Sequence, residues 1–193
     1  TRSLCDWSSD VCSSDLLDGL QNSHPIEQEV TNPDEIGQLF DAISYSKGAS
    51  ILRMLEHFLG ADTFRHGLHR YLAQHQYGNA RTRHLWDALG EASGQPVAAM
   101  MDSWVEQIGY PVVNVQTTWN QNVIELTASQ QRFVYEHVVE PDKPDETLWH
   151  LPLIVRTSGD YASRLMVGRE VTMRMTSSHG ESPNGWIKVN PEQ

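Results

Sequence analysis

The stretch Gln95–Ala128, QPVAAMMDSWVEQIGYPVVNVQTTWNQNVIELTA, changes its hydrophobic period halfway along. Before Gly109, the residues Val97, Met100, Met101, Trp104, Val105 and Ile108 recur at helical spacing. Pro96 suits the first helical position, where its missing N–H costs nothing. After Tyr110-Pro111, Val113, Val115 and Thr117 alternate with Asn114 and Gln116, the period of a half-buried strand. Asn120-Gln121-Asn122 reads as a hairpin turn into Val123–Ala128. A helical part and a strand part therefore meet near residues 109–111, which places the chain in the α+β class. The join is short, so the two parts are expected to pack on each other.

Upstream, the helical period runs back to residue 34. Ile36, Leu39, Phe40 and Ile43 form one stripe behind the turn Asn32-Pro33 and the acidic pair Asp34-Glu35. Ile51, Leu52, Leu55, Phe58 and Leu59 form a second, stopped by Gly60. Phe64, Leu68, Tyr71 and Leu72 define a third helix beginning after Asp62. Thr82 is the expected cap of a fourth, which carries Leu85, Trp86 and Leu89 and ends near Gly90 or Gly94. Downstream, Leu148–Val155, Ser163–Val167, Val171–Met175 and Trp186–Val189 read as further strands, with a loop over Pro141–Asp145. Short strands separated by turns suggest an antiparallel sandwich.

Composition narrows the function classes. The 193 residues carry 25 Asp plus Glu against 14 Lys plus Arg, a formal net charge of −11. Such a chain lacks the cations needed to displace phosphate counterions, so no nucleic-acid partner is expected. The longest apolar run, Val97–Met101, falls far short of the about 20 residues that span a bilayer, so no transmembrane segment is expected.

Residues 5–16 resemble a translated sequencing adapter: Asp6–Leu16, DWSSDVCSSDL, matches one reading frame of a common library adapter. Residues 1–16 are accordingly expected to be an artefact with no fold of their own. Both cysteines, Cys5 and Cys12, fall inside that stretch. Without them, disulfides, thiol nucleophiles and cysteine-ligated zinc have no residues to draw on.

Nine histidines invite a metal reading. His66 and His69 are three apart, with His75 beyond, whereas zinc on a helix favours HExxH, two His four apart with a Glu between them. His24 is followed by Glu27, but Pro25 breaks that arrangement. These histidines are read as surface and helix-end residues. No G-x-S-x-G elbow, P-loop or G-x-G-x-x-G occurs. One polar residue stands out. Tyr45, in Phe40–Ser50 (FDAISYSKGAS), sits among small residues at a helix junction, where its hydroxyl can face a cleft.

The segment SHPIEQEVTNPDEIGQLFDAISYSKGASILRMLEHFLG, followed by YGNARTRHLWDAL and MMDSWVEQIGYPVV, resembles the gluzincin zinc aminopeptidases. That family includes alanyl aminopeptidases and the leukotriene hydrolase. The resemblance covers residues 17–193 and implies a fold. Residues 17–110 would be the helical C-terminal half of a thermolysin-like catalytic domain, and residues 111–193 a β-sandwich truncated at its C-terminus.

The resemblance also implies a function: a parent enzyme that hydrolyses N-terminal residues from peptides with a free N-terminus. A Zn2+ ion held by HExxH and a further Glu would activate the attacking water. That motif is absent from this sequence, so the fragment alone is expected to lack the zinc site and to be inactive. What carries over is Tyr45, whose family counterpart donates its phenol proton toward the tetrahedral oxyanion. A phenol, of ordinary pKa about 10, keeps that proton at neutral pH. The alternative is a non-catalytic relative serving as a protein-binding scaffold. A cytoplasmic location is expected, with a membrane-anchored or secreted ectoenzyme as the alternatives.

Overall fold

A computed structural model describes residues 18–20, 23–28, 37, 41, 43–133, 145–176 and 186–191. Contacts divide the chain into two compact units with a boundary between Tyr110 and Pro111. Residues 1–16, most of the stripe Ile36–Phe40 and the loop Pro141–Pro144 lie outside the described residues.

In the first unit, a π-helical turn Ile43–Lys47 runs directly into α1 (Gly48–Leu59). Ile51, Met54 and Leu55 face the core from α1, as the period requires. Gly60 ends the helix at φ +82°, a backbone conformation that favours glycine, and its N–H donates to the Glu56 carbonyl at 2.9 Å. Two of the residues expected to be inside are not: Leu52 is 39% exposed and Leu72 is 57% exposed. Both lie at the margin of their stripes, turned away from the described core.

Helix α2 (Ala61–Gln74) starts at Ala61 rather than after Asp62, and its one fully buried residue is Gly67. A Cβ there would come within 2.8 Å of the Leu89 side chain and 3.0 Å of the Leu89 Cα, so the missing side chain is what lets α2 and α3 approach. Helix α3 (Thr82–Ser93) buries Trp86, Ala88 and Leu89. Its cap is Arg81 rather than Thr82: the Arg81 N–H donates to His84 Nδ1 at 3.3 Å, and its carbonyl accepts the His84 N–H at 3.0 Å. The left-handed Gly94 closes the helix.

Helix α4 (Val97–Val105) buries Val97, Met100, Met101, Trp104 and Val105. Pro96 caps it rather than opening it, and its carbonyl takes the Met100 N–H at 3.0 Å. The helix stops at Val105, so Ile108, expected on the inward stripe, is only half-buried in the bends that follow.

Among the described residues, the second unit contains two three-stranded antiparallel sheets. One has the order β1 (Pro111–Asn120), β2 (Val123–Arg132), β5 (Glu170–Thr176), and the other β4 (Tyr161–Met166), β3 (Leu151–Thr157), β6 (Ile187–Val189). Asn120 pairs with Val123 across a two-residue turn in which Gln121 takes φ +54°. Ile124, Leu126 and Ala128 of β2 are fully buried, alternating with half-buried residues.

Strand β3 begins at Leu151 rather than Leu148. The Trp149 backbone is instead paired with a side chain: its N–H donates to Gln130 Oε1 at 3.0 Å, and its carbonyl accepts from Gln130 Nε2 at 2.9 Å. The amide thus replaces a ladder partner, which periodicity does not reveal.

Candidate functional site around Tyr45

Tyr45 occupies the middle of the π-helical turn and is 64% exposed. Two residues on, Lys47 is buried. Side chains two positions apart on a helical backbone point to nearly opposite sides, so driving one inward presents the other outward. The burial of Lys47 therefore accounts for the presentation of Tyr45.

The Lys47 ammonium is held among oxygens. Nζ lies 2.9 Å from Asp18 Oδ2 and donates to the Gly109 carbonyl at 2.9 Å and to the Gln107 carbonyl at 3.2 Å. Asp18 is buried as well; its Oδ1 accepts from Ser23 Oγ at 2.8 Å and from the Gly109 N–H at 2.9 Å. A buried charge is tolerated when it is paired and its remaining hydrogen-bonding capacity is met, as here. The cluster clips Asp18 and Ser23 to the π-helical turn and to the bend after α4.

A second polar pair reaches the turn from the other side. Asp41 divides its carboxylate, with Oδ1 accepting the Ser44 N–H at 2.9 Å and Oδ2 lying 2.7 Å from His24 Nε2. The Asp41 carbonyl accepts the Tyr45 N–H at 3.1 Å. Nδ1 of His24 sits 2.9 Å from the Pro25 carbonyl, with the Gln28 amide 2.6 Å from the same nitrogen. Burial works against the charged imidazole, but the Pro25 carbonyl and the Asp41 carboxylate outweigh it and raise the His24 pKa above its ordinary value. Burial likewise works against the Asp41 carboxylate, which the Ser44 N–H and His24 nonetheless hold below the usual range.

Tyr45 stands on the rim of a hollow of about 700 Å³, whose walls include Leu52, Tyr71, Leu85 and Trp86, with Glu27 and Arg81 as its charged members. The exposed Leu52 thus lines a cavity instead of a core. A largely apolar recess with a few polar groups on its edge is the usual form of a small-ligand or substrate-side-chain site.

Sequence reasoning singled out Tyr45 and missed Asp18, Lys47 and the His24–Asp41 pair. A lysine inside an otherwise apolar helical stripe was the available clue. Of the other described histidines, His66 and His69 are exposed on α2, and His75 stacks on His84 with ring centroids 4.4 Å apart. Among the described residues, no three His, Cys, Asp or Glu side chains converge to hold a metal ion. No described helix is long and apolar enough to cross a membrane.

Comparison with known proteins bears on the same segment. The chain is 42% identical over 178 residues to "Aminopeptidase 2, mitochondrial" of Saccharomyces cerevisiae, an alignment covering 92% of this chain. It is 45% identical over 180 residues to "Aminopeptidase A" of Gloydius brevicauda, covering 91% of this chain. It is also 45% identical over 149 residues to "Tricorn protease-interacting factor F2" of Thermoplasma volcanium, covering 77%. In each case the alignment takes in 18% of the relative, so the chain spans under a fifth of the length of these curated proteins. The profile of the peptidase family M1 domain matches residues 5–104, a span that contains Tyr45 and its clip and opens within the adapter-like stretch. With that match extending over more than half of its residues, the chain belongs to peptidase family M1.

Proposed function

We propose that this chain is a segment of a zinc-dependent aminopeptidase, and that Tyr45 donates its phenol proton to the oxyanion formed when a peptide bond is attacked. The observation that carries the reading is the presentation of Tyr45. A buried ion pair turns the helix so that this one phenol stands at the rim of the 700 Å³ hollow. A donor held in advance at the place where negative charge develops stabilises the transition state more than the ground state. The apolar wall formed by Leu52, Leu85 and Trp86 suits a peptide side chain beside the scissile bond.

In this reading residues 17–110 belong to the helical half of the catalytic domain and residues 111–193 to a β-sandwich. The family resemblance implies Zn2+, but the described residues do not fit it: catalytic zinc needs about three protein ligands, and no such cluster is present among them. The ligands belong to the parent outside the described residues. The step that falls to this chain's own residues is the proton donation by Tyr45.

The test compares the parent enzyme with the 193-residue chain on an aminoacyl-4-nitroanilide. The parent should release nitroaniline, should lose activity on chelation, and should ignore the N-acetylated substrate. The chain alone should be inactive and hold no stoichiometric zinc. A parent that binds peptides without cleaving any reporter would favour a scaffold and overturn the reading.

A further inference from the structure

We propose that His24 is a positioning residue that aims Tyr45 by fixing the carboxylate of Asp41. The inference rests on the reading of Tyr45 as an oxyanion donor and adds the device that holds it on target.

Tyr45 is 64% exposed, and the backbone beneath it is one of the things that sets its direction. Asp41 holds that backbone at two successive N–H groups, using Oδ1 for Ser44 and its main-chain carbonyl for Tyr45. The carboxylate serves the Ser44 N–H best while its own rotation is fixed, and His24, at 2.7 Å from Oδ2, fixes it from the side away from the turn. The ring is fixed in turn. The Pro25 carbonyl lies 2.9 Å from its other nitrogen, and the neighbouring Glu27 N–H is tied to the Val105 carbonyl at the end of α4 at 2.9 Å.

The chain of contacts therefore runs from a packed helix terminus through His24 and Asp41 to the peptide units that carry the phenol. A π-helical turn is an uncommon conformation that persists only where its surroundings hold it, and such turns concentrate at functional sites. The Lys47 clip fixes the far end of the turn, and the His24–Asp41 pair fixes the near end. A misplacement of the order of an ångström at a reacting group costs up to about 100-fold in rate, so loosening the near end should be visible in kcat.

The experiment measures kcat and KM in the parent enzyme for His24→Ala, His24→Gln, Tyr45→Phe and the double variant His24→Ala/Tyr45→Phe, with each fold checked by circular dichroism. His24→Ala should lower kcat by about 10- to 100-fold with KM nearly unchanged. His24→Gln, which keeps a donor for Asp41, should recover part of the loss. In the Tyr45→Phe background, removing His24 should cost little more, because residues acting through one group are not additive. Hydrogen exchange at the Ser44 and Tyr45 amides should quicken by about tenfold or more in His24→Ala, with the amides of α3 unchanged.

A folded His24→Ala enzyme with unaltered kcat would overturn the inference. So would an equal loss in the Tyr45→Phe background, since His24 would then act elsewhere. Near-normal kcat for Tyr45→Phe alone would remove the reading of Tyr45 itself, and that variant separates the two failures. Should His24→Ala fail to fold, Asp41→Asn, which weakens the same contact without creating a cavity, replaces it in every comparison.

Discussion

Lys47 and Asp18 carry opposite charges into an interior where neither would survive alone, with side-chain exposures of 8% and 3%. Breaking such a pair costs more than the pair itself contributes, because the partner is left charged and buried. Lys47→Met should therefore destabilise the first unit by about 3–5 kcal/mol in a urea melt, and Asp18→Leu by a similar amount. The double variant should recover much of either loss. The His24–Asp41 pair makes a different prediction. His24 has a raised pKa when folded, so its contribution is fully present below the ordinary value of 6.5 and is lost as pH rises through the raised one. Asp41 has a lowered pKa, so its contribution is present above its ordinary 3.8 and is lost as pH falls through the lowered one. The melting-temperature difference between wild type and His24→Gln should thus be largest between about pH 4 and 6.5 and should shrink above it. At this scale the sequence was legible only in part. Tyr45 was visible through its neighbours Ser44, Ser46 and Gly48, while the partners of Lys47 and Asp41 are brought to them by folding and leave no local trace.

At the scale of elements, periodicity located α1 to α4 and the described strands to within a few residues, most plainly where an element buries a stripe or face, as α1, α4 and β2 do. Its failures have physical causes. It counted Leu52 and Leu72 as core because both fall on a stripe, although one lines a hollow and both are exposed. It extended β3 back to Leu148 because apolar residues continue there, although a side-chain amide takes the Trp149 backbone. It could not see that Gly67 sets the spacing of α2 against α3, since a glycine carries no hydropathy signal. Gly67→Ala tests that point. Alanine is the better helix former, but its Cβ would lie 2.8 Å from the Leu89 side chain and 3.0 Å from the Leu89 backbone. The crowding should prevail and lower stability by about 1–3 kcal/mol, read by chemical denaturation. A gain in stability would show that α2 moves aside without cost.

At the scale of the whole chain, large side chains stand exposed on the first unit. The chain spans 18% of its relatives' length, and Tyr45, Leu52, Leu72 and Tyr77 are large side chains left exposed on the first unit. Apolar surface of this kind promotes association when its partners are missing. The purified 193-residue chain should therefore elute as dimers or larger species in light-scattering chromatography, and a monodisperse monomer with a sharp melt would mean that it is a self-sufficient unit. The change from helices to strands after Val105 was legible as a change of period, whereas what covers the exposed side chains of the first unit was not, because apolar stripes do not name their partners. The central claim is that the buried clip presents Tyr45 as an oxyanion donor. Its most direct test is the steady-state kinetics of Tyr45→Phe in the parent enzyme. Removing one proton donor that acts only in the transition state should lower kcat by about 10²–10³ with KM little changed. A folded Tyr45→Phe enzyme with near-normal kcat would contradict the claim and leave Tyr45 a residue that only lines the hollow.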